Sequence, residues 1–370
     1  MPLTVVQILP ALEVGGVERG TLEVASELVK RGYRSIVISG GGRLVNQLID
    51  QGSEHIALPI GKKSLLTLRL ISKLRQILVT ENVSVLHARS RLPAWISYLA
   101  WRTMNKDNRP AFVTTVHGPY TVNPYSKIMV RGERVIAISN FIKNYIIRNY
   151  PDVDPEKVIV IPRGVSSTQY PYGYQPNAGW IDNWKKQHPG LAGKFIVTLP
   201  ARVTRWKGHE DFLQILKLSL SEGMPVHGLI AGGPHPGKEL FLKKLVSQVH
   251  NIGLDQHISF LGQRNDMKEI MAISDAVLSL AKEPEAFGRT ALEALCLGTP
   301  VIAYDHGGAS EVLQAMFPAG LIKALDIQAA AAKLKTFYEH PPVVTDKNCF
   351  TLDNMLSKTI AVYEGLAKAG

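Results

Sequence analysis

The sequence predicts an α/β protein made of two similar domains, each built on a parallel sheet with helices on both faces. Short runs rich in Val and Ile alternate with amphipathic helical patterns along the 370-residue chain, and the alternation breaks clearly only near residues 166–190. Strands that alternate with helices favour parallel sheets covered on both faces. A chain of this length also exceeds one ordinary domain. We therefore expect two α/β domains whose sheets face a central cleft.

The first half supplies the elements of one such domain. Its strand-like runs are TVVQIL, YRSIVIS, VSVLHA, FVTTVHG, RVIAIS and KVIVIP. The amphipathic segments between them are VERGTLEVASELVKRG, LRLISKLRQILVTEN, RLPAWISYLAWRTMN and SNFIKNYIIRNY. Ser139 or Asn140 is placed to cap the last of these helices. We predict the N-terminal domain over residues 1–170.

The second half repeats the pattern after a segment rich in Pro, Gly, Tyr and Trp, SSTQYPYGYQPNAGWIDNWKKQHPG. Its strand-like runs are KFIVTLPARV, VHGLIAGG, HISFLG, AVLSLA and TPVIAYD. We predict the C-terminal domain over residues 171–350. Residues 351–370 predict a final helix, and the sequence does not decide on which domain it packs.

Composition narrows the classes of function. The formal net charge of +11 favours an anionic partner, such as nucleic acid, anionic lipid or a phosphorylated substrate. Nucleic acid is the least favoured, because no zinc-finger, RRM, KH or helix-turn-helix signature accompanies the charge. Two cysteines and no Cys/His cluster predict neither a disulfide framework nor a zinc site. Without a leader or a bilayer-length apolar run, we expect a cytoplasmic protein.

Two glutamates flank a predicted helix start in the segment EPEAFGRTALEALCLG. The backbone amides of Phe287, Gly288 and Arg289 at this start would form an anion site, favoured by the helix dipole. Glu285 precedes the site and Glu293 lies about a turn inside the helix, where each could accept hydrogen bonds from sugar or ribose hydroxyls. The alternative is an acidic first turn that only complements the dipole.

Three cations follow the strand KFIVTL in the segment PARVTRWKGHEDF, namely Arg202, Arg205 and Lys207. Fixed cations at the carboxyl end of a sheet suit a diphosphate. The alternative is a solvated basic loop. Gly208, directly after Lys207, would allow close approach.

The first half offers weaker candidates. Gly15 and Gly16 open a helix after the first strand, but the chain has no G-x-G-x-x-G fingerprint, which disfavours a nicotinamide or flavin enzyme. His117 ends the strand FVTTV and could donate to a reacting sugar, although a lone histidine is more often structural. The segment PDVDPE contains a D-x-D pattern, which we interpret as a turn and not as a metal site.

Together these motifs resemble the glycosyltransferase family 4 enzymes, which are retaining transferases of GT-B architecture. The resemblance runs over most of the chain and is carried by Glu285-Ala-Phe-Gly-Arg-Thr-Ala-Leu-Glu293, Gly298-Thr-Pro-Val-Ile, Gly307-Gly308-Ala-Ser-Glu311, Arg202 with Lys207-Gly208, and Gly15-Gly16. It implies two Rossmann-like domains with the active site between them, no cofactor and no essential metal. Ala201, where the family often has glycine, and Arg289, at a frequently apolar position, depart from the pattern.

The resemblance also implies roles for individual residues. Arg202 and Lys207 would bind the donor diphosphate, Glu285 the sugar, and Glu293 the ribose, while His117 would contact the transferred sugar. Gly16 would line the phosphate and acceptor side. The catalytic set is therefore His117, Arg202, Lys207 and Glu285, and the donor-binding set is Gly16, Gly262, Gln263, Arg264, Phe287, Gly288, Arg289 and Glu293.

The implied activity is transfer of a hexose from a UDP- or GDP-linked donor to a glycan or lipid-linked acceptor, in bacterial lipopolysaccharide or another surface glycan. The alternatives are a GT-B-type nucleotide-sugar epimerase and a non-catalytic sugar- or nucleic-acid-binding protein. The segments at residues 60–78 and 91–106 combine cations with apolar side chains at helical spacing. They predict peripheral contact with the inner face of the cytoplasmic membrane, or else ordinary helices with a solvated basic side.

Overall fold

A computed structural model describes residues 3–13, 15–234 and 237–369. The chain divides into two units, one formed by Met1–Pro162 together with Asp353–Gly370 and the other by Arg163–Leu352. In the described residues each unit is a parallel sheet, of seven strands in the first and six in the second. The prediction of two Rossmann-like α/β domains is confirmed.

The strand order in the first unit is β3-β2-β1-β4-β5-β6-β7. The chain builds outward from β1 to β3 and then crosses to β4 on the other side of β1, so the strand order reverses where β1 and β4 are neighbours. Val5 of β1 pairs with Ser35 on one side and with Val85 on the other. The strands are β1 (Thr4–Ile8), β2 (Arg34–Ser39), β3 (Glu54–Ala57), β4 (Val85–Ala88), β5 (Ala111–Val116), β6 (Arg134–Ala137) and β7 (Val158–Val160). The helices are α1 (Gly16–Lys30), α2 (Val45–Asp50), α3 (Leu70–Thr80), α4 (Arg91–Arg102) and α5 (Asn140–Asn149).

Capping chemistry fixes the start of α5. The Ser139 hydroxyl accepts a hydrogen bond from the backbone N–H of Ile142 at 3.1 Å, which satisfies one of the free amides of the first turn. Ser139 is therefore the N-cap, as the sequence predicts. Ile142 and Ile146 lie one turn apart on the buried face of the same helix.

The second unit orders its strands β10-β9-β8-β11-β12-β13. The strands are β8 (Phe195–Leu199), β9 (Val226–Ala231), β10 (Ile258–Gly262), β11 (Ala276–Ser279), β12 (Val301–Tyr304) and β13 (Leu321–Ile322). The helices are α6 (Ala178–Gln187), α7 (His209–Ser221), α8 (Leu240–Asn251), α9 (Met267–Ala272), α10 (Arg289–Leu297), α11 (Gly307–Met316) and α12 (Ile327–Glu339). Helix α6 lies within the Pro- and Gly-rich segment, where the sequence indicated only a break in the pattern.

The final helix, α13 (Leu352–Ala369), packs on the first unit. The Tyr363 hydroxyl is fully buried and lies 2.6 Å from Nδ1 of His87 in β4. On the same helix, Glu364 accepts a hydrogen bond from the Tyr33 hydroxyl at 2.7 Å. Helix α13 thus contributes to the core of the first unit.

Candidate functional site

Two of the predicted site residues form an ion pair in the second unit. Lys207 ends a 3-10 turn that follows β8, and Glu285 lies in the loop between β11 and α10. Strands β8 and β11 are neighbours in the sheet, so their carboxyl ends bring the two loops together. The Lys207 ammonium contacts Oε1 of Glu285, with 18% and 12% of the two side chains exposed. The carboxyl edge of the sheet therefore presents a largely buried pair of opposite charges.

A glycine fixes the position of the Lys207 turn. Gly208 has a φ of 75°, and a Cβ atom there would lie 1.9 Å from the carbonyl oxygen of Leu280. The neighbouring backbone is joined as well, because the N–H of Lys282 donates to the carbonyl of Trp206 at 2.7 Å. The sequence predicted close approach at Gly208, and the structure shows that the approaching group is the backbone after β11.

The start of α10 packs against the start of α11 through a second set of glycines. Gly288 caps α10 with a left-handed φ of 83°. A Cβ atom on Gly308 would lie 2.3 Å from Cα of Phe287, and the Gly308 N–H donates to the carbonyl of Glu285 at 2.7 Å. The loop that carries Glu285 is therefore held by α11. In the sequence, Gly307 and Gly308 carry part of the family resemblance, and a glycine pair at a helix start is also a signal of close packing.

Glu293 also has a cationic partner. It is buried inside α10, and its Oε1 lies 3.1 Å from Nε of Arg289, one turn earlier. Both glutamates that the sequence predicts to bind hydroxyls are thus paired with cations. The four-residue spacing of Arg289 and Glu293 is the signal that could have predicted this pair.

The remaining donor-side residues lie in loops at the same edge of the second sheet. Arg202 is exposed in the loop after β8, and Gly262 ends β10 with a φ of 66°. Gln263 follows it. Arg264 makes two contacts with the carboxylate of Asp266, at 2.8 and 2.6 Å. That guanidinium is thus engaged within its own loop.

Gly16 and His117 lie in the first unit, each just after a strand. Gly16 begins α1 and is exposed, and a Cβ atom there would meet no other atom within 4 Å. His117 follows β5 and is half-buried, and its backbone N–H donates to the Tyr120 hydroxyl at 3.3 Å. The roles of both residues stay predictions.

The two aspartates of the D-x-D pattern have structural roles, in agreement with its interpretation as a turn. In PDVDPE, Oδ1 of Asp154 accepts from the N–H of Glu156 at 3.0 Å and caps a turn, while Asp152 pairs with Lys127 at 2.7 Å. Within the described residues no three His, Cys, Asp or Glu side chains are grouped to hold a metal ion. No helix in the described part of the chain is both long and apolar enough to cross a bilayer.

Comparison with known proteins identifies the family. The model for Glycosyltransferase Family 4 matches residues 14–169, and the model for Glycosyl transferases group 1 matches residues 181–349. The crystal structure of a glycosyltransferase from Rickettsia africae ESF-5 is 30% identical, with a TM-score of 0.86 and 100% of both chains covered. The chain belongs to glycosyltransferase family 4. The predicted family and GT-B architecture are confirmed.

Other similar proteins are more distant. The structure of Anabaena Alr3699/HepE in complex with UDP-glucose has a TM-score of 0.76, covers 99% of both chains and is 22% identical, which shows the fold alone. N-acetyl-alpha-D-glucosaminyl L-malate synthase of Bacillus anthracis is 26% identical over 67% of this chain and 63% of that protein. The lipopolysaccharide core biosynthesis mannosyltransferase LpsB of Rhizobium meliloti is 29% identical over 66% of this chain and 69% of that protein. The match to the Bacillus protein thus spans less than two thirds of its length.

Proposed function

We propose that the chain transfers a sugar from a nucleotide-diphosphate sugar to a glycan or lipid-linked acceptor, with retention of configuration and without a metal. The observation that carries the proposal is the Lys207–Glu285 pair beside the start of α10, at the carboxyl edge of the second sheet. A cation and a helix N-terminus suit a diphosphate, and a carboxylate suits sugar hydroxyls. The UDP-glucose complex of the Anabaena protein supports a nucleotide-sugar donor.

The chemistry needs charge stabilisation more than acid-base catalysis. The bond between the anomeric carbon and the diphosphate oxygen breaks, and a bond to the acceptor oxygen forms on the same face of the sugar. The acceptor's hydroxyl proton passes to the departing nucleoside diphosphate, so no protein base is consumed. Lys207, Arg202 and the amides at the start of α10 stabilise the charge that grows on the diphosphate, which lowers the barrier directly.

The two ion pairs support a separate binding role for each glutamate. Glu285 accepts hydrogen bonds from the transferred sugar while Lys207 exchanges part of its contact with Glu285 for diphosphate oxygens. Glu293, oriented by Arg289, accepts from the ribose hydroxyls. A charged pair that is present before the donor arrives costs little reorganisation when it binds.

The nucleotide base is read by the backbone after β10. Gly262 and Gln263 present peptide groups there, and the side chain of Arg264 is held away by Asp266. Trp180 of α6 donates to the same carboxylate at 2.9 Å, which fixes the loop from a second side. UDP and GDP both offer groups that such peptides can bind, so both classes belong in the donor test.

We place the acceptor in a bacterial surface glycan, such as the lipopolysaccharide core, because LpsB is a relative. We propose that the segment around α3 contacts the membrane. In support, Leu66, Leu68 and Val79 are each at least 50% exposed, and the cations Lys62 and Lys73 of the same segment are exposed. Apolar and cationic groups together favour anionic lipid.

The second basic segment, residues 91–106, is a poorer membrane site. Trp101 of α4 packs against Phe112 of the sheet at 5.8 Å and against Tyr98 at 5.9 Å, so its aromatic side chains belong to the unit's own packing. Sedimentation with anionic and with neutral vesicles tests the α3 segment. We expect binding to anionic vesicles only, and no binding to either would overturn membrane contact.

The transfer itself is tested with a panel of labelled UDP- and GDP-sugars and glycolipid acceptors. Transfer of label to an acceptor supports the proposal, and its loss in Lys207→Ala assigns it to this site. Interconversion of the donor sugar without transfer would identify an epimerase. Thermal stabilisation by one donor without turnover of any would identify a binding protein, since a bound ligand raises stability by mass action.

A further inference from the structure

An arginine lies against two tyrosine rings at the carboxyl edge of the first unit's sheet. Arg91 is the first residue of α4, which follows β4, and its guanidinium carbon is 4.9 Å from the ring centre of Tyr120 and 5.5 Å from that of Tyr125. Both tyrosines lie in the loop after β5, and β5 is the neighbour of β4 in the sheet. The topology thus brings one cation together with two aromatic rings from the loop that follows β5 and His117.

The loop that carries the tyrosines is fixed by its backbone. The Tyr145 hydroxyl donates to the carbonyl of Tyr120, and the Trp95 indole N–H donates to the carbonyl of Tyr125 at 2.8 Å. These bonds hold main-chain groups, while the Tyr120 hydroxyl accepts the backbone N–H of His117 at 3.3 Å. The Tyr125 side chain stays 41% exposed, next to other exposed loop residues.

The positive charge of Arg91 has no acidic partner in the described residues. Its side chain bonds the neutral hydroxyl of Ser126 at 3.3 Å. Arg264 in the other unit shows the usual arrangement, with two bonds to one carboxylate. A planar guanidinium held against aromatic rings is prepared to bind a carboxylate or a phosphate with two parallel hydrogen bonds.

We propose that Arg91, Tyr120 and Tyr125 form an acceptor platform that selects an anionic sugar, which is a sugar ring carrying a phosphate or a carboxylate. The inference rests on the proposed transfer, because it names the class of acceptor that the reaction consumes. Arg91 binds the anionic group, and the exposed face of Tyr125 packs against the C–H face of the sugar ring. Aromatic side chains with a few placed polar groups are the ordinary lining of small-molecule sites.

The experiment is equilibrium binding to the full chain with UDP at saturation, so that the nucleotide site is filled. The probes are glucose 6-phosphate, glucuronic acid, glucose and inorganic phosphate. We expect both anionic sugars to bind at least about tenfold more tightly than glucose, and glucose 6-phosphate to bind more tightly than inorganic phosphate. Arg91→Gln and Tyr125→Ala should each weaken the anionic sugars by about tenfold.

Arg109→Gln is the matched control. Its guanidinium carbon lies 3.9 Å from the ring of Trp101, but Arg109 precedes β5 and so lies at the opposite edge of the same sheet. The unfolding temperature of each variant shows whether it is folded, and Arg91→Lys keeps the charge without the planar fork. We expect Arg109→Gln to bind like the parent and Arg91→Lys to bind in between.

Equal affinity for glucose and glucose 6-phosphate would overturn the platform, and so would equal losses in the Arg91 and Arg109 variants. Unchanged affinity in folded Arg91→Gln would do the same. The proposed function fails differently, since it fails when no nucleotide or nucleotide sugar binds. In that case the sugars are titrated without UDP, and the Arg91 comparison decides the platform on its own.

Discussion

Lys207 and Glu285, 78 residues apart in the sequence, form a largely buried ion pair at the carboxyl edge of the second sheet. Each charge compensates the other, so neither is left unpaired in a poorly solvated position. A donor that brings its own negative diphosphate and its own hydroxyl donors offers both residues a replacement partner. The pair therefore keeps the two groups ordered before the donor binds.

Lys207 should be required for turnover. We expect Lys207→Ala to lower turnover by about 10²–10³-fold, because a charge that stabilises the leaving diphosphate is lost. Lys217→Ala, on the exposed side of α7, should leave turnover unchanged. Single-turnover rates with the best donor are the measurement. Equal rates in the parent and in Lys207→Ala would remove Lys207 from the catalytic set.

The same pair predicts non-additive stability. Lys207→Ala leaves the Glu285 carboxylate without its cation, and Glu285→Ala leaves the Lys207 ammonium without its carboxylate. In the double variant no unpaired charge remains. We expect the double variant to lose less unfolding free energy than the two single variants lose together. The difference, which is the coupling energy, should be about 1 kcal/mol. Urea unfolding of the four proteins measures it. A coupling near zero would show that the contact contributes little to folding.

Gly208 should be much less tolerant than a glycine with a similar backbone angle. Gly208→Ala adds a Cβ atom 1.9 Å from the carbonyl oxygen of Leu280, on top of the left-handed φ. Gly223→Ala, at a φ of 81° and with no atom within 4 Å, isolates the cost of the backbone angle, about 1–2 kcal/mol. We expect Gly208→Ala to lose clearly more unfolding free energy, and to lose donor binding. Equal losses would show that the turn simply shifts.

Acid should destabilise the second unit through buried histidines. Burial lowers the pKa of His209 and that of His227 to about 4, and His227 bonds Ser259 while His257, Lys194 and His188 disfavour its charging. The unfolded chain, with a histidine pKa near 6.5, takes up these protons first as the pH falls. The contribution of each neutral, buried histidine to the unfolding free energy is therefore fully present above about pH 6.5. It is lost as the pH falls towards 4, by about 3 kcal/mol for each histidine.

Unfolding free energies between pH 4 and pH 7.5 measure this effect. His227→Gln should flatten the profile, because glutamine keeps a hydrogen bond to Ser259 and does not titrate. His340→Asn, at an exposed position after α12, is the control and should keep the parent profile. An unchanged slope in His227→Gln would show that another group dominates the acid response.

His117 should matter for turnover and not for nucleotide affinity. The residue lies in the first unit, and the residues we propose for the diphosphate and the base lie in the second. We expect His117→Ala to lower the transfer rate by about 10²-fold while the Kd for UDP stays the same. Parallel loss of both quantities would indicate a structural role at the end of β5.

Much of the fold could be predicted because buried parallel strands are apolar and β-branched along their whole length. The edge strand β3 escaped, since EHIA is half-exposed and has no continuous apolar run. Strand β13 has only two residues. Helix α6 was hidden among Pro and Gly, where a stacked pair, Trp180 and Trp184 with ring centres 5.1 Å apart, anchors it.

The candidate site was predictable in its residue types but not in its pairing. Local rules placed Glu285 at a helix start and Lys207 after a strand, yet only the strand order, with β8 beside β11, brings the two together. The Arg289–Glu293 pair follows from helix periodicity alone and could have been predicted. The Arg91 cluster needed the loop conformation after β5, which no spacing rule supplies.

The packing of α13 sets an order of events during synthesis. Tyr363 and its neighbours fill the first unit only after the ribosome has made the intervening second unit, roughly 190 residues later. At about 5–20 residues per second, the earlier part of the chain waits some 10–40 seconds with His87 uncovered. A stop codon introduced just before the codons of α13 would therefore impair the packing of the unit that was translated first.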